Sequence, residues 1–441
     1  MTAEDLPLWP AVPIPLEMEV VRTQGSYIYT KAGEKILDAA GQAVVSNIGY
    51  GRSEVADVAA QALTDCTHVL PPFSTPQRLE LLTRLREKWL PPELTRVHLV
   101  NSGSEAADSA IKLARQYHVY NGNPSKWKVI GRDASYHGIT LGGLAVSGHS
   151  DRRRGFEPLL LDMPLAKACY PYRCGDCADG EQCNLSCAEN LEQIIEQEGA
   201  DTISAFMAEA IVGTSGGALV PPDGYWPLIQ EICTRHNILL IIDEVITGFG
   251  RTGKKFAIDH WDIKPDILTT AKGFSGGYAP IAAVITTDRV VQPLIDNNDM
   301  IMFHTFGGHP AACAVANKVL EILEREQLVE RVAKMGEYVQ ERLETLLDHP
   351  HVGDVRGKGL LWAIEVVKDK ATREPFDAKL KLTFKIVNEG INRGVLMYFG
   401  GTGTYRDIIC LGPSFLIEKE EVDTIVEVLR QSIDAAIESQ S

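Results

Sequence analysis

Long apolar runs are missing from this sequence. None of its 441 residues belongs to a stretch reaching the ~18 uninterrupted apolar positions of a membrane-spanning helix, so no membrane span is expected. The opening residues, MTAEDLPLWPAVPIPLEMEV, have neither the basic start nor the apolar core of a secretory signal, and the expectation is a cytoplasmic protein. In that setting the Asn184-Leu185-Ser186 match to a glycosylation acceptor carries no meaning. Basic charge is also scarce. Lys and Arg number 43 against 59 Asp and Glu, a formal net charge of -16, with the acids dispersed rather than in a block. That argues against nucleic acid or an anionic membrane as partner. Internal repeats and low-complexity tracts are absent, which removes solenoids and linker-like segments. Cysteines number nine, an odd count in a chain long enough to need no disulfide framework.

What is present is ordinary for a globular protein: 45% hydrophobic and 23% charged residues, enough chain for one large and one smaller domain. Residues 1–20 are Pro-rich and read as an arm over a surface or a partner. Tyr27–Thr30 and Lys35–Asp38 flank Ala32-Gly33-Glu34 as a hairpin. Helical periodicity covers Glu54–Thr67 and Thr75–Trp89, the latter closed by Pro91-Pro92. From Arg96 strands alternate with helices: strands at Val97–Val100, Lys128–Gly131, Ser204–Glu209, Ile238–Ile242, Asp266–Ala271 and Ile281–Thr286, helices at Ser104–His118 and Tyr225–His236. The fully apolar ILLII of Ile238–Ile242 is the kind of strand that a parallel sheet buries on both faces. Further helices are expected at Pro310–Gln327, Val329–Leu347, Leu380–Arg393 and Lys419–Glu438, with a strand at Leu360–Val366. The fold class is α/β, a large domain around a mostly parallel sheet plus a small α+β domain formed by both chain ends. The expected division is 1–70 for the arm and part of the small domain, 71–315 for the large domain and 316–441 for the rest of the small one.

Five stretches carry chemistry. Lys272 closes the Asp266–Ala271 strand and is followed by Gly273, Phe274, Ser275, Gly276 and Gly277. A lysine there either reaches solvent or is paired and used, and the glycines let the backbone turn and a ligand come close. Asn101-Ser102-Gly103-Ser104-Glu105 joins a strand to a helix. It is either a phosphate-binding turn, with Gly103 allowing approach and Ser102 and Ser104 adding hydroxyls, or a plain Ser N-cap with Glu105 in the first turn. Asp243 follows ILLII at a strand's C-terminal end, where open α/β sheets bind ligands, and a buried carboxylate needs a cation. Ser135-Tyr136-His137-Gly138 offers an aromatic face that either packs in the core or stacks on a flat cofactor. Cys174, Cys177, Cys183 and Cys187 are spaced closely enough to hold zinc or an iron–sulfur centre, the other reading being reduced thiols on a loop. Gly248–Gly253 matches G-x-G-x-x-G, but no helix opens after it, so a dinucleotide site is rejected. His304 and His309 have no third ligand at a sensible spacing, which disfavours a metal there.

A phosphate turn, a stacking aromatic, a buried acid and a strand-end lysine, in that order, fit pyridoxal 5'-phosphate. NSGSEA, SYHG, IIDEVITGFGRTG, TTAKGFSGG and HTFGGHPAACA resemble, in order and spacing, the class III (omega) aminotransferases, pyridoxal-phosphate enzymes of fold type I. The resemblance runs from about Tyr27 to the C-terminus. It implies that Lys272 is the covalent anchor of the cofactor and that Asp243 pairs the pyridine nitrogen. It also implies that Gly103 and Ser104 hold the phosphate, that Tyr136 stacks on the ring and that Val245 packs on the opposite face. Thr305 would reach the phosphate of the neighbouring subunit in a homodimer, and Glu209 is similar to the family's glutamate near the cofactor. The chain departs from the family in having Ala208-Glu209-Ala210 where Ala-Glu-Pro is common, and Ala271-Lys272-Gly273 where Gly-Lys-Gly is common. Arg406 lies near the family's mobile carboxylate-binding arginine without matching its register, and a surface arginine is the other reading. Trp9, Tyr50, Phe73 and Arg406 are the candidates for shaping the substrate pocket.

The implied activity is transfer of an amino group between an amine or omega-amino acid and a pyruvate-like keto acid by a ping-pong mechanism. A dialkylglycine-type decarboxylase, an aminomutase, a racemase or a phospho-lyase would share Lys272 and Asp243. A non-catalytic sensor built on the cysteine cluster is the reading from a different class.

Overall fold

The computed structural model describes residues 18–176, 183–299 and 302–439. Short alternating runs at the N-terminus form a meander of β1 (Val20–Gln24), β2 (Tyr27–Thr30) and β3 (Lys35–Asp38), all antiparallel, with the hairpin at the expected residues. The apolar runs from Arg96 onward become β4 (Arg96–Val100), β5 (Lys128–Arg132), β6 (Leu165–Ala166), β7 (Ile203–Glu209), β8 (Leu239–Asp243), β9 (Ile267–Thr270) and β10 (Ala282–Thr286). They join in one sheet of order β4-β10-β9-β8-β7-β5-β6. Only β10 runs against its neighbours; β9, β8, β7, β5 and β6 are parallel. Every residue of β7, β8, β9 and β10 is buried, because helices cover both faces and leave no side for polar residues.

The Gly103–Tyr120 helix packs on this sheet through small residues, Ala106, Ala107, Ala110 and Ala114, which let it lie close to β9 and β10. Beyond it the chain adds β11 (Val352–Lys358), β12 (Leu361–Val366), β13 (Val395–Leu396), β14 (Tyr398–Thr402) and β15 (Tyr405–Leu411). Four of these form an antiparallel sheet, β11-β12-β15-β14, while β13 pairs in parallel with β3, Val395 opposite Leu37. The two halves of the chain therefore share one sheet. Among the described residues no helix is long and apolar enough to cross a membrane.

Some local expectations were displaced. The cysteine-bearing segment read as loop-like contains a helix, Ser186–Glu198, which buries Cys187, Leu191 and Ile195 at spacings of four. The Thr75–Trp89 helix is an α-helix over Pro76–Arg84, capped by the Thr75 side chain, that widens to a π turn at Leu85–Trp89. The strands β11, β14 and β15 escape the sequence pattern because glycine and charge interrupt them; tertiary pairing decides them. After Gly248–Gly253 there is only the single turn Ala257–His260, so the glycine run does not open a helix.

Arg251, within that run, ties the molecule together. The residue is 2% exposed, and its guanidinium donates to the carbonyls of Ser46 (2.6 Å), Pro413 (2.5 Å) and Leu360 (3.2 Å), one from the N-terminal segment and two from the C-terminal one. Burial lowers its pKa to about 9, still above neutral pH, so it donates as a cation. Arg251→Ala should strip all three carbonyls of their donor and lower the unfolding free energy by roughly 3 kcal/mol or more. A urea unfolding curve with an unchanged midpoint would show that the clamp is dispensable.

Candidate active site

Three parallel strands deliver charged residues to the same end of the sheet. β5 ends in Arg132, β7 in Glu209 and β8 in Asp243, at the carboxyl edge where such sheets place their ligands. Glu209 and Asp243 are register partners on adjacent strands, so two buried carboxylates face each other. Each is compensated. Arg132 Nη2 donates to the Glu209 carbonyl (2.5 Å) and to its Oε2 (3.1 Å). His137 Nδ1 donates to Asp243 Oδ2 (2.8 Å), and its Nε2 lies 3.9 Å from Glu209 Oε2. The second Asp243 oxygen accepts from Val245 N (2.9 Å), and the Tyr136 N–H donates to Glu209 Oε1 (3.1 Å). Burial pushes the His137 pKa down, but Glu209 and Asp243 outweigh it and the net direction is up, which favours the protonated ring beside Asp243.

Lys272 follows β9 at the same edge. It is half-buried, and its side-chain amine makes no hydrogen bond or ion pair with any described residue, while its carbonyl accepts from Ser275 N (3.1 Å) and Gly276 N (3.0 Å). Burial lowers its pKa to about 8; Asp243 opposes the shift, while Arg152 and Arg251 reinforce it. Lys272 is itself in the left-handed region (φ 44°). Of the glycines expected to let the backbone turn, Gly276 and Gly277 have positive φ and Gly273 does not, so the turn starts at Lys272 itself. A Cβ on Gly273 would meet nothing closer than the Gly248 carbonyl oxygen at 3.4 Å, whereas Gly276 (φ 60°) would drive one to 2.4 Å from Asn47 Oδ1. Asn47 Nδ2 in turn donates to the Gly273 carbonyl at 2.7 Å, so the N-terminal segment fixes the loop after Lys272. Phe274 anchors the loop from below, stacked on Phe249 at 4.8 Å.

The Gly103–Tyr120 helix points its N-terminus at this edge. Ser102 Oγ accepts from Glu105 N (3.2 Å), and Glu105 Oε2 accepts from Asn101 N (2.7 Å), so the Ser cap exists whether or not an anion binds. The first N–H groups of a helix have no intrahelical acceptor, which leaves those of Gly103 and Ser104 available. A Cβ on Gly103 would lie 3.1 Å from a Val245 methyl, so the glycine and Val245 line one narrow gap. Ser104 Oγ accepts from Ile139 N (3.1 Å), and Gly138, at φ 122°, leaves it room. Tyr136 is half-buried, with the Arg152 guanidinium 4.9 Å from its ring centre. Thr305 is exposed, on the turn closed by Gly307 N to His304 O.

The remaining candidates are placed as follows. The Tyr50 hydroxyl donates to Asp38 Oδ2 (2.6 Å). Phe73 is 63% exposed. Arg406 Nε and Nη2 both donate to the Phe376 carbonyl (3.3 and 3.0 Å). Trp9 and Cys177 lie outside the described residues. Among the described residues no three His, Cys, Asp or Glu side chains come together as metal ligands. Cys187 departs from the proposed thiolate set for a physical reason: as part of the Ser186–Glu198 helix it turns into the core and hydrogen-bonds Cys169. Zinc or iron–sulfur binding by Cys174, Cys177, Cys183 and Cys187 therefore has no support. Sequence reasoning missed the roles of His137, Arg132 and Arg152. Arg132 carried the signal that flagged Lys272, a charge at the end of an apolar strand.

The lowered Lys272 pKa has a definite sign. Between pH about 8 and 10.5 the folded chain holds fewer protons than the unfolded one, so Lys272 costs stability at neutral pH and the cost is relieved as pH rises through that window. In cofactor-free protein, labelling of Lys272 by a small aldehyde under reducing conditions should rise with a midpoint near pH 8. Peptide mass spectrometry showing a midpoint near the 10.5 of an ordinary lysine would contradict the geometry.

Comparison with known proteins identifies the family. The family model described as Aminotransferase class-III matches residues 11–433. The chain is similar to a putrescine–pyruvate aminotransferase of Pseudomonas aeruginosa, at 35% identity over 94% of this chain and 90% of that protein. It is similar to a taurine–pyruvate aminotransferase of Bilophila wadsworthia, at 36% identity over 92% of this chain and 90% of that one. Among solved structures, a thermostable (S)-enantioselective omega-transaminase from Thermomicrobium roseum matches with a TM-score of 0.90 at 36% identity, over 95% of this chain and 93% of that chain. The fold, the strand-end acids and lysine, and a family match spanning nearly all of the sequence converge: the chain belongs to the class-III aminotransferase family and is an enzyme, a transaminase.

Proposed function

We propose that this transaminase takes an amino group from an amine or omega-amino acid and delivers it to a pyruvate-like keto acid, with Lys272 as the catalytic base and Asp243 as the partner of the cofactor ring. The observation that carries the reading is Lys272 itself, a half-buried amine with its pKa lowered to about 8 and no hydrogen-bond or ion-pair partner, on the same sheet edge as a carboxylate held by His137. Such an amine gives up its proton far more readily than an ordinary lysine, which a nucleophile and proton shuttle both need.

The residues fit pyridoxal phosphate. An unengaged amine, a clamped carboxylate, a helix N-terminus lined by Gly103 and an aromatic ring come from four separate elements and gather at one edge of the sheet, and the Gly103–Val245 gap would be filled by any larger side chain. When bound, the cofactor supplies an aldehyde that joins amines and a ring that accepts electrons from the substrate carbon. Lys272 Nζ would hold it covalently, then, once released, take a proton from the substrate carbon and return it. Asp243 would accept the ring N–H and keep that proton in place, with His137 fixing the carboxylate's orientation and charge. The N–H groups of Gly103 and Ser104, with the Ser102 hydroxyl, would bind the phosphate. Tyr136 and Val245 would cover the two ring faces, and Glu209 would set the field beside Asp243. Thr305, exposed on its turn, suits a contact with the phosphate in a second copy, and a homodimer is part of the proposal. The names of the two relatives, one acting on putrescine and one on taurine, both with pyruvate, support the acceptor and leave the donor open.

Lys272→Ala should lose the covalently held chromophore, release cofactor on dialysis and lower turnover by at least 10²–10⁴-fold, on the order of a missing general base. Wild-type protein offered a panel of amines with pyruvate should form alanine. Retained turnover in the variant would refute the assignment of Lys272. Asp243→Asn should keep the covalent link but lose turnover by a similar order, and unchanged kinetics would refute its pairing role.

A further inference from the structure

The turn at Ser150–Arg153 and the residue after it carry three consecutive arginines, which the structure uses differently. Arg153 Nη1 donates to the carbonyls of Leu144, Ala145 and Ser147 at 3.0, 2.9 and 3.0 Å. Arg154 pairs with Asp151 at the surface. The other Asp151 oxygen accepts from Gly403 N (3.2 Å), and Ser150 Oγ lies 3.2 Å from Thr402 Oγ1, so the turn is pinned to the hairpin of β14 and β15. Arg152 is left over. Its guanidinium makes no hydrogen bond or ion pair with any described residue, yet Arg152 is half-buried, with that guanidinium 4.9 Å from the Tyr136 ring centre. Its charge acts on Tyr136, Tyr398 and Lys272, which places it in the cleft of the proposed base.

A guanidinium with five donors and only an aromatic face for company is poorly satisfied; cation–π contact is worth about 0.5–2 kcal/mol, less than a bidentate carboxylate partner gives in a sheltered site. Its neighbour His149 adds no charge: burial and Arg152 lower the His149 pKa to about 4, so Arg152 is the permanent cation on this wall. Arg406, the candidate from sequence, already spends two donors on the Phe376 carbonyl.

We propose that Arg152 selects substrates that carry an anionic group, a carboxylate or sulfonate, a few bonds from the amino group, with the anion on its guanidinium fork beside Tyr136 and the amine directed to Lys272. This rests on the reading of Lys272 as the base. The planar fork matches both anions, and a lysine at the same place would match neither as well.

The test compares the holoenzyme with its Arg152→Gln and Arg152→Lys variants. Donor half-reactions, run without keto acid and followed by loss of the visible cofactor band, use four short amines: β-alanine, taurine, n-propylamine and 1,3-diaminopropane. Arg152→Gln should weaken β-alanine and taurine on the order of 10- to 100-fold through half-saturation, with Arg152→Lys in between and the neutral and cationic amines within about twofold. The wild-type ratio of β-alanine to taurine tells which anion fits. Calorimetry of the holoenzyme with propionate and with ethanesulfonate, which carry no amine, should show binding that Arg152→Gln abolishes. Equal losses for all four donors, loosened cofactor in the variant, or anion binding that survives Arg152→Gln would each overturn the proposal. A wild type that binds these anions but converts none of the four amines would instead sink the reading of Lys272.

Discussion

Two carboxylates cannot share a buried strand end unless something positive stands between them. That constraint organises this site. The register of β7 against β8 sets Glu209 beside Asp243, and His137 lies against both, at 2.8 Å from one and 3.9 Å from the other, with Arg132 completing the balance from β5. Removing any one member would leave a buried charge without compensation, which is far costlier than the pair is stabilising. The arrangement also orients. An aspartate held on one oxygen by the His137 ring and on the other by a backbone N–H has little freedom to turn, and a ring nitrogen that pairs with it meets a fixed acceptor.

Around this network the cleft is assembled from distant parts of the chain. The N-terminal segment contributes Asn47, whose amide holds the loop after Lys272. The C-terminal hairpin of β14 and β15 holds the turn that presents Arg152. Arg251 fastens both ends to the glycine-rich turn of the large sheet. The proposed chemistry sits on rigid strand ends, while the proposed selectivity sits on a short turn braced by a hairpin. Such a division lets substrate preference vary without disturbing the base and its partner, and it agrees with relatives of similar identity bearing names with very different donors.

Much of this was legible in the sequence because the signals were local. Apolar runs located six of the seven strands of the central sheet to within a residue or two, the two-residue β6 being too short to leave a pattern, and a charge ending such a run identified Lys272 and Asp243. The rest was not local. His137 finds Asp243 across 106 positions, and nothing near residue 137 says that its ring is the cation the acid requires. Arg152 looks like its two neighbours until their partners are known. The Ser186–Glu198 helix was obscured by reading Cys187 as a ligand rather than as a small apolar residue four positions before Leu191, which is how it behaves in the core. Gly273 drew attention by adjacency to Lys272, although the tight backbone belongs to Lys272 itself and to Gly276. Adjacency in sequence and strain in space were different things there.

The pairing of β3 with β13 has a consequence for how the protein is made. Leu37 emerges early from the ribosome, but Val395, its partner, follows ~350 residues later. Until then the N-terminal meander has an open edge with unpaired amides, and the Arg251 side chain waits for the Pro413 carbonyl. The surroundings of Lys272 are thus among the last parts to become complete during synthesis. A nascent chain can build its parallel sheet in order, yet it becomes an enzyme only when its tail returns to close the first sheet it made.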